Sequence, residues 1–377
     1  MNRPIFLALL LASPAWAEVP TPPPPELSAP SYILMDTQTG EVLAEANADE
    51  PVEPASLTKI MTTYLAFRAL GDGLIGEQDL VTISRKARRA IGSRMFVEIN
   101  SQVPVIDLLR GIIVQSGNDA SIALAEHIAG SEESFVSIMN AEAERLGMSE
   151  SHFTDASGLG GPDHYMSARD TAIVSAAMIN EFPDLYAMFR EWEYTWNDIT
   201  QPNRNRLLKL DPTVDGIKTG FTEAAQYCLA ASAMRPELDN MRLVSVVLGA
   251  KTGRARVRDS RALLNWGFRF FRTRKIHGGM TPLAEIPVWF AEMEQAPVGL
   301  AEDLVMTLPV AAYKKLTTTY HLEPEVEAPL VRGQTVGRIT IRHENRILAQ
   351  APAIVLVDMP QVGFFIRLWH SLRRLFK

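Results

Sequence analysis

Three short motifs in this chain of 377 residues combine side chains that can do nucleophilic chemistry. The first is Ser56–Lys59, with the sequence SLTK. Residues three apart on a helix share a face, so the amine of Lys59 can lie beside the hydroxyl of Ser56. A serine hydroxyl needs a neighbouring base, and a lysine is such a base only when burial or a nearby cation lowers its pKa. Taken alone, the motif is an N-capping serine with a solvated lysine.

The second and third motifs are Ser116–Asn118 (SGN), in a break between two predicted helices, and Lys218–Gly220 (KTG), at the end of a strand-like run. Gly220 permits a ligand to approach the strand closely, and Lys218 and Thr219 can bind a carboxylate. Alone, each motif is a sequence that commonly forms a turn. The order Ser-x-x-Lys, Ser-x-Asn, Lys-Thr-Gly is the signature of penicillin-binding proteins and class A β-lactamases.

The hydrophobic pattern predicts elements that place these motifs at a helix start, in an interhelical break and on a strand. Strands followed by a helical block, more strands and a helix indicate a sheet flanked by helices. The predicted strands are 32–35, 42–45, 216–219, 226–233 and 243–248, and the predicted helices are 56–70, 105–114, 120–129, 132–146, 167–179 and 256–271.

The chain is predicted to contain five segments. Residues 1–17 form a cleaved signal peptide, because a positive start and a short apolar run precede the small-x-small pattern at residues 15–17. Residues 18–30 form an extended, solvated proline-rich spacer. Residues 31–274 form the domain that carries the motifs. Residues 275–359, with strands at 286–288, 304–308, 316–320, 338–342 and 354–357, form a small all-β domain, and residues 360–377 form an amphipathic helix.

From Tyr32 to its end, the chain resembles the serine-type D-alanyl-D-alanine carboxypeptidases, the low-molecular-mass penicillin-binding proteins with a C-terminal β domain. The resemblance implies an α/β (α+β) penicillin-binding, β-lactamase-like transpeptidase domain, with an antiparallel sheet, flanking helices and an all-helical subdomain, followed by the all-β domain. The matching segments are Pro54–Thr62, His164–Asp170, Asn203–Asn205 with Leu207 and Leu208, and Val214–Gly220.

The resemblance also implies a role for each site residue. Ser56 is the acylated nucleophile and Lys59 its base. Ser116 relays a proton to the leaving amine, and Asn118 holds Lys59 and the substrate amide. Lys218 completes the proton network, and its charge keeps Lys59 neutral. Thr219 and Arg204 bind the terminal carboxylate, Gly220 belongs to the same substrate-binding strand motif, and the N–H groups of Ser56 and Phe221 form the oxyanion hole.

Two positions depart from the family pattern. Phe221 stands where some relatives have histidine, and because only its backbone is needed for the oxyanion, we expect an altered rate or substrate preference. Arg206 lies two residues from Arg204, so the sequence leaves open which arginine faces the site.

The implied reaction is removal of the terminal D-alanine from peptidoglycan pentapeptides, with β-lactams acylating Ser56 as inhibitors. No metal or other cofactor is expected. A β-lactamase would share the motifs, but in class A it needs a loop glutamate, whereas residues 152–165 contain Asp155 and Asp163 but no Glu. The motifs are also compatible with a D,D-endopeptidase, and the fold with a non-catalytic wall-binding scaffold.

The expected location is the periplasm, with peripheral attachment to the outer face of the inner membrane. Residues 361–377 place aromatic and aliphatic residues at helical spacings among Arg367, Arg373, Arg374 and Lys377, which is typical of a helix lying on anionic lipid. The same pattern would also suit a helix docked on the β domain. A net charge of −7 gives no indication of a nucleic-acid partner. The single cysteine, Cys228, excludes an intramolecular disulfide and is expected to be a buried hydrophobe.

Overall fold

The computed structural model describes residues 21–374, so the predicted signal peptide and the first residues of the spacer lie outside the described chain. The chain divides into two compact units, one formed by residues 23–269 and one that begins at residue 270. We call them the motif unit and the β unit. The motif unit contains all three motifs.

The motif unit combines an antiparallel sheet with a group of helices. Its strands are β1 (Ser31–Asp36), β2 (Val42–Ala46), β3 (Leu80–Thr82), β4 (Gln102–Pro104), β5 (Glu193–Trp196), β6 (Ile199–Pro202), β7 (Val214–Thr222), β8 (Gln226–Arg235) and β9 (Met241–Ala250). Its helices are α1 (Lys59–Gly71), α2 (Arg85–Arg88), α3 (Val105–Ile113), α4 (Asn118–Ala129), α5 (Glu132–Leu146), α6 (Ala168–Glu181), α7 (Pro183–Tyr186), α8 (Leu207–Leu210) and α9 (Gly253–Phe270). Short 3₁₀ turns occupy Ala55–Thr58, Ala187–Arg190 and Pro236–Leu238.

The central sheet has the strand order β2-β1-β9-β8-β7, and every neighbouring pair is antiparallel. Helix α9 packs closely on this sheet at Gly267, where a Cβ would lie 2.7 Å from side-chain atoms of Leu34 and Leu243. Strand β7 is at the edge of the sheet, and the KTG motif lies on it. One side of the motif strand is therefore open to a ligand.

Helix α1 is buried on nearly all sides, because most of its residues contribute to one apolar core. Helices α3, α4 and α5 pack around the same core. Local signals delimit the helices: Ser131 and Ser167 cap the starts of α5 and α6, and left-handed glycines, Gly130 and Gly147, end α4 and α5. The predicted fold class, a sheet flanked by helices with a helical subdomain, is confirmed.

Some predicted boundaries differ from the observed ones. The helix predicted from residue 56 begins as the 3₁₀ turn 55–58 and becomes α-helical at Lys59. The end of the predicted spacer is hydrogen-bonded to α9, because the N–H and hydroxyl of Ser28 both donate to Asp259, at 2.8 and 2.6 Å. The hairpins β3–β4 and β5–β6 were not predicted, since their strands have only three or four residues.

The β unit has a six-stranded sheet in the order β14-β16-β17-β12-β11-β15 and a separate β10–β13 pair. Its elements are β10 (Phe271–His277), β11 (Ala284–Trp289), β12 (Gln295–Gly299), β13 (Leu304–Pro309), a 3₁₀ turn (Ala312–Lys315), β14 (Leu316–Leu322), β15 (Val326–Glu327), β16 (Thr335–His343), β17 (Arg346–Val355) and α10 (Phe364–Arg374). The domain boundary expected at 274/275 falls inside β10, because this strand follows α9 directly. Within residues 21–374, no helix has the length and apolarity needed to cross a bilayer.

Candidate active site

The three motifs meet at one cleft of about 330 Å³ in the motif unit. The 3₁₀ turn, the loop before α4 and the edge strand β7 each contribute to its wall. The residues that line it are Ser56, Gly92, Ser93, Ser116, Arg204, Thr219, Gly220, Phe221 and Arg256. Six of the nine predicted site residues are therefore in the lining, and the other three, Lys59, Asn118 and Lys218, are buried.

Lys59 is fully buried, and its Nζ atom donates to Ser56 Oγ at 3.1 Å and to the carbonyl oxygen of Ser157. Burial lowers the pKa of Lys59 to about 7. The Asp155 carboxylate opposes this shift, whereas the Arg204 guanidinium adds to it. An amine with this pKa is largely neutral just above neutral pH, so Lys59 can accept a proton from Ser56.

The backbone holds the nucleophile turn in a strained conformation. Ala55, directly before Ser56, has φ +49°, a left-handed value that costs a residue other than glycine about 1–3 kcal/mol. The turn lies so close to β7 that a Cβ at Gly220 would be 2.9 Å from the carbonyl oxygen of Pro54. We expected Gly220 to admit a ligand to the strand. In the structure, its missing side chain admits the nucleophile turn.

Ser116 and Asn118 carry buried polar atoms that point to an absent ligand. Ser116, at φ +61°, is buried, and neither its Oγ nor Asn118 Oδ1 has a hydrogen-bond partner within the described chain. A buried polar group left unsatisfied costs about 1–3 kcal/mol. Asn118 Nδ2 donates to the carbonyl oxygen of Ile91 at 2.7 Å rather than contacting Lys59, so the free Oδ1 is the atom that remains for a substrate amide.

Lys218 and Thr219 are both nearly inaccessible on β7. Burial drives the pKa of Lys218 well below its usual value, and the nearby cations Lys59, Arg204 and Arg256 lower it further. We expected a charged Lys218 to keep Lys59 neutral. In the structure, the two lysines oppose each other's charge, since the charge of Lys59 lowers the pKa of Lys218, and the Arg204 cation lowers the pKa of both amines.

The two candidate arginines separate clearly. Arg204 lines the cleft, and Arg206 does not. The asparagine that follows Arg204 holds this segment on the strand, because Asn205 Nδ2 donates to the carbonyl oxygen of Gly216 at 2.7 Å and its Oδ1 accepts from Leu207 N at 3.1 Å. Sequence alone could not choose, since the choice depends on this contact across the fold.

Phe221 lies at the mouth of the cleft, half-exposed, with its ring 4.5 Å from that of Tyr227. Sequence reasoning missed Arg256 of α9, whose Nη1 donates to the carbonyl oxygens of Gly220 and Cys228, at 2.9 and 3.1 Å. Its only sequence signal was a position in an arginine-rich helix. Cys228 is buried, and burial raises the pKa of its thiol to about 11, as suits a small core residue.

The loop 152–165 contacts the site through the carbonyl oxygen of Ser157, which accepts from Lys59. This contact was not predicted. Asp155 organises this loop, because its carboxylate accepts from the N–H groups of Ser157, Gly158 and Leu159 at 2.5, 2.6 and 3.0 Å. Those hydrogen bonds help to lower the pKa of Asp155 against the opposing effect of its burial. Across residues 21–374, no cluster of three His, Cys, Asp or Glu side chains could hold a metal ion.

Comparison with known proteins agrees with this geometry. A family model described as D-alanyl-D-alanine carboxypeptidase, peptidase family S11, matches residues 18–252. The chain belongs to this family. A second model, the C-terminal domain of penicillin-binding protein 5, matches residues 271–361. The family predicted from the motifs is thus confirmed, and the protein is a serine-type D-alanyl-D-alanine carboxypeptidase, a hydrolase.

Named relatives extend the similarity over nearly the whole chain. The chain is 44% identical to the D-alanyl-D-alanine carboxypeptidase DacC of Escherichia coli K12, over 96% of this chain and 91% of the relative. It is 42% identical to DacA of the same organism, over 93% and 89%. The crystal structure of penicillin-binding protein 5 from Haemophilus influenzae matches with a TM-score of 0.83 and 40% identity, over 90% of this chain and 99% of that structure.

Proposed function

We propose that this carboxypeptidase releases the terminal D-alanine of peptidoglycan pentapeptides through an acyl-enzyme on Ser56. The observation that carries the proposal is the buried amine of Lys59, which lies 3.1 Å from Ser56 Oγ and has a pKa lowered to about 7. A base beside a serine, with a pKa near the working pH, is what activation of the hydroxyl requires.

In acylation, Lys59 takes the Ser56 proton while Oγ bonds to the carbonyl carbon of the penultimate D-alanine. The backbone N–H groups of Ser56 and Phe221 then face the developing oxyanion. The C–N bond breaks, and the proton passes from Lys59 through Ser116, with Lys218 in the same network, to the leaving D-alanine amine. Ser116 Oγ suits this relay, because no protein group in the described chain occupies its hydrogen bonds.

Substrate binding follows from the charges and free acceptors in the cleft. Thr219 and Arg204 line the cleft, and we expect them to bind the terminal carboxylate by a hydrogen bond and by a charge-assisted pair. Asn118 Oδ1 is free to accept from a substrate amide. A penicillin presents a similar carboxylate and a strained amide, so we expect β-lactams to acylate Ser56.

Water completes the cycle by attacking the Ser56 ester, which releases the tetrapeptide and returns the proton to Oγ. A rapid β-lactamase reaction would need a further base on the loop, in the position that a glutamate fills in class A enzymes. Asp155 is a poor candidate, because three backbone N–H groups already bind its carboxylate. This favours peptidase activity with long-lived penicillin adducts.

The test uses fluorescent penicillin and a purified pentapeptide muropeptide. Wild type should be labelled and should convert the pentapeptide to the tetrapeptide, whereas Ser56→Ala should do neither. Ser137→Ala, a change at an exposed serine of α5, is the matched control and should behave as wild type. Equal labelling of wild type and Ser56→Ala, or rapid nitrocefin turnover by wild type, would refute the proposal.

We also propose that the enzyme is exported and attached to the outer face of the inner membrane through α10. Its apolar side chains are uncovered within the described chain, with Phe365 84% and Trp369 65% exposed. The same helix is held on its own β unit, since His370 Nδ1 accepts from Phe290 N at 3.1 Å and Arg373 pairs with Glu294 at 2.8 Å. The polar contacts orient the helix, and its apolar face remains available for lipid.

A further inference from the structure

The loop 152–165 lies directly on the nucleophile turn, with no room between them. A Cβ at Gly158 would fall 1.8 Å from the carbonyl oxygen of Ala55, and the φ of Gly158 is +92°. The carbonyl of the neighbouring Ser157 accepts from Lys59 Nζ. The position of the Lys59 amine therefore depends on how firmly this loop is held.

A buried histidine, His164, joins the end of the loop to the turn. Its side chain is 1% exposed, and its Nε2 lies 2.7 Å from Thr58 Oγ1, on the residue before Lys59. Its Nδ1 accepts from the backbone N–H of Thr154 at 3.0 Å. An accepting Nδ1 places the proton on Nε2, so His164 donates to Thr58, which in turn donates to the carbonyl oxygen of Ala55 at 2.9 Å.

We propose that neutral His164 is a positioning residue, which holds the loop 152–165 against the nucleophile turn and thereby fixes the Lys59 amine beside Ser56. This inference rests on the proposed function of Lys59. His164 does not touch the reacting atoms. It acts through Thr58 on one side and through Thr154 on the other.

The bridge requires the neutral ring, because a protonated Nδ1 can no longer accept from Thr154. Burial lowers the pKa of His164, Asp155 opposes this shift, and His152 and Lys59 add to it. The ring of Phe153 packs edge-on against the imidazole at 5.7 Å. The folded chain thus binds the proton less readily than the unfolded chain. The stability that the neutral bridge contributes is present above about pH 6.5 and is lost as the pH falls from there towards the lowered pKa.

The test compares two replacements of the histidine. His164→Phe keeps an aromatic ring at this position but removes both hydrogen bonds of the imidazole. We expect acylation by fluorescent penicillin to slow at least tenfold, through a lower acylation rate constant rather than through weaker binding. The amide hydrogens of residues 157 and 158 should exchange with solvent faster than in wild type. His164→Gln can donate and accept without titrating. We expect it to stay within about threefold of wild type at pH 7.5 and to lose less activity below pH 6.5.

Three further variants provide controls. Thr58→Val removes the partner of His164 and should reproduce the His164→Phe defect, while Thr58→Ser should restore the rate, which keeps the inference testable if His164→Phe does not fold. His152→Gln changes the other histidine of the loop, whose Nδ1 contacts the Asp163 carbonyl oxygen at 2.7 Å, and should leave the acylation rate at pH 7.5 unchanged, because both hydrogen bonds of His164 remain.

Wild-type acylation rates in His164→Phe between pH 5 and 8, or a wild-type pH profile in His164→Gln, would overturn the inference. So would unchanged amide exchange at residues 157 and 158 in His164→Phe. Failure of the proposed function is seen separately, in the wild type against Ser56→Ala, and the exchange experiment needs no substrate.

Discussion

The cleft buries basic side chains, whereas helix α10 exposes apolar ones, so each region reverses the usual distribution of residues. In the cleft, Lys59 and Lys218 are ammonium-bearing side chains removed from water, and in α10, Phe365 and Trp369 are apolar side chains left in it. Each arrangement is unfavourable for the isolated chain. The comparison teaches that each region has an unfavourable feature that a bound partner would relieve, and the partners we propose are a peptide at the cleft and a lipid surface at the helix.

The two regions also differ in what their surroundings do to charge. Burial in the cleft lowers the pKa of Lys59 to about 7 and turns a cation into a base. Arg367 and Arg373 of α10 lie on the surface of the β unit, and we propose that they attract anionic headgroups. In our proposals, a basic side chain therefore acts in catalysis where it is buried and in membrane attachment where it is exposed.

The largest effect is expected from Lys59→Arg, which tests whether a buried amine in the cleft acts as a base. An arginine keeps the positive charge but does not deprotonate, so acylation should fall by roughly a thousandfold or more. The measurement is the rate of fluorescent-penicillin labelling, with circular dichroism as the folding control. Labelling within tenfold of wild type would show that Lys59 is not the base.

A smaller effect is expected from Arg204→Gln, with Arg206→Gln as its matched control. Loss of one charge-assisted carboxylate contact, about 1.5–3 kcal/mol, should reduce kcat/KM by roughly 10–100-fold.

The acylation rate of wild type should rise with pH through about 7, as Lys59 loses its proton. Without the Arg204 cation, the pKa of Lys59 rises, so this limb should move to higher pH. Equal effects of the two variants would contradict the assignment of Arg204 to the cleft.

At the other region, replacing Phe365 and Trp369 together by serine should weaken binding to vesicles of anionic lipid. Each side chain contributes up to about 1.5–3 kcal/mol when buried, so we expect a loss of roughly tenfold or more, with an unchanged melting temperature. Val331→Ser, at a 64% exposed position of the β unit, is the control. Unchanged co-sedimentation of the double variant would remove the basis for membrane attachment through α10.

The smallest effect is expected from Phe221→His. Because the proposed oxyanion contact uses the backbone N–H, kcat should change by no more than about fivefold. The side chain lies at the mouth of the cleft, so the relative rates with different β-lactams should shift more. A hundredfold loss of kcat would assign the side chain a direct part in the reaction.

The motifs and the main elements were predictable, because their signals are local. Ser56 and Lys59 are three residues apart, and α5 carries its own signals, a capping serine at its start and a left-handed glycine at its end. The order of the three motifs then identified the family, and from the family the fold.

Further features of the site depend on contacts between distant residues, which no local pattern encodes. Lys59 meets the carbonyl of Ser157 across 98 positions, and Ser28 meets Asp259 across 231. For the same reason, the sequence could not show that Asn118 binds Ile91, that Arg204 rather than Arg206 enters the cleft, or that Arg256 reaches it from α9.

Gly158 lies so close to the nucleophile turn that even a methyl group at this position would overlap the backbone of Ala55. Any other residue would push the two pieces apart and take the Ser157 carbonyl away from Lys59. We propose that the reactions with penicillin and with the natural peptide both use that amine. On the proposed mechanism, a change at Gly158 that slowed the reaction with penicillin would therefore slow the release of D-alanine as well.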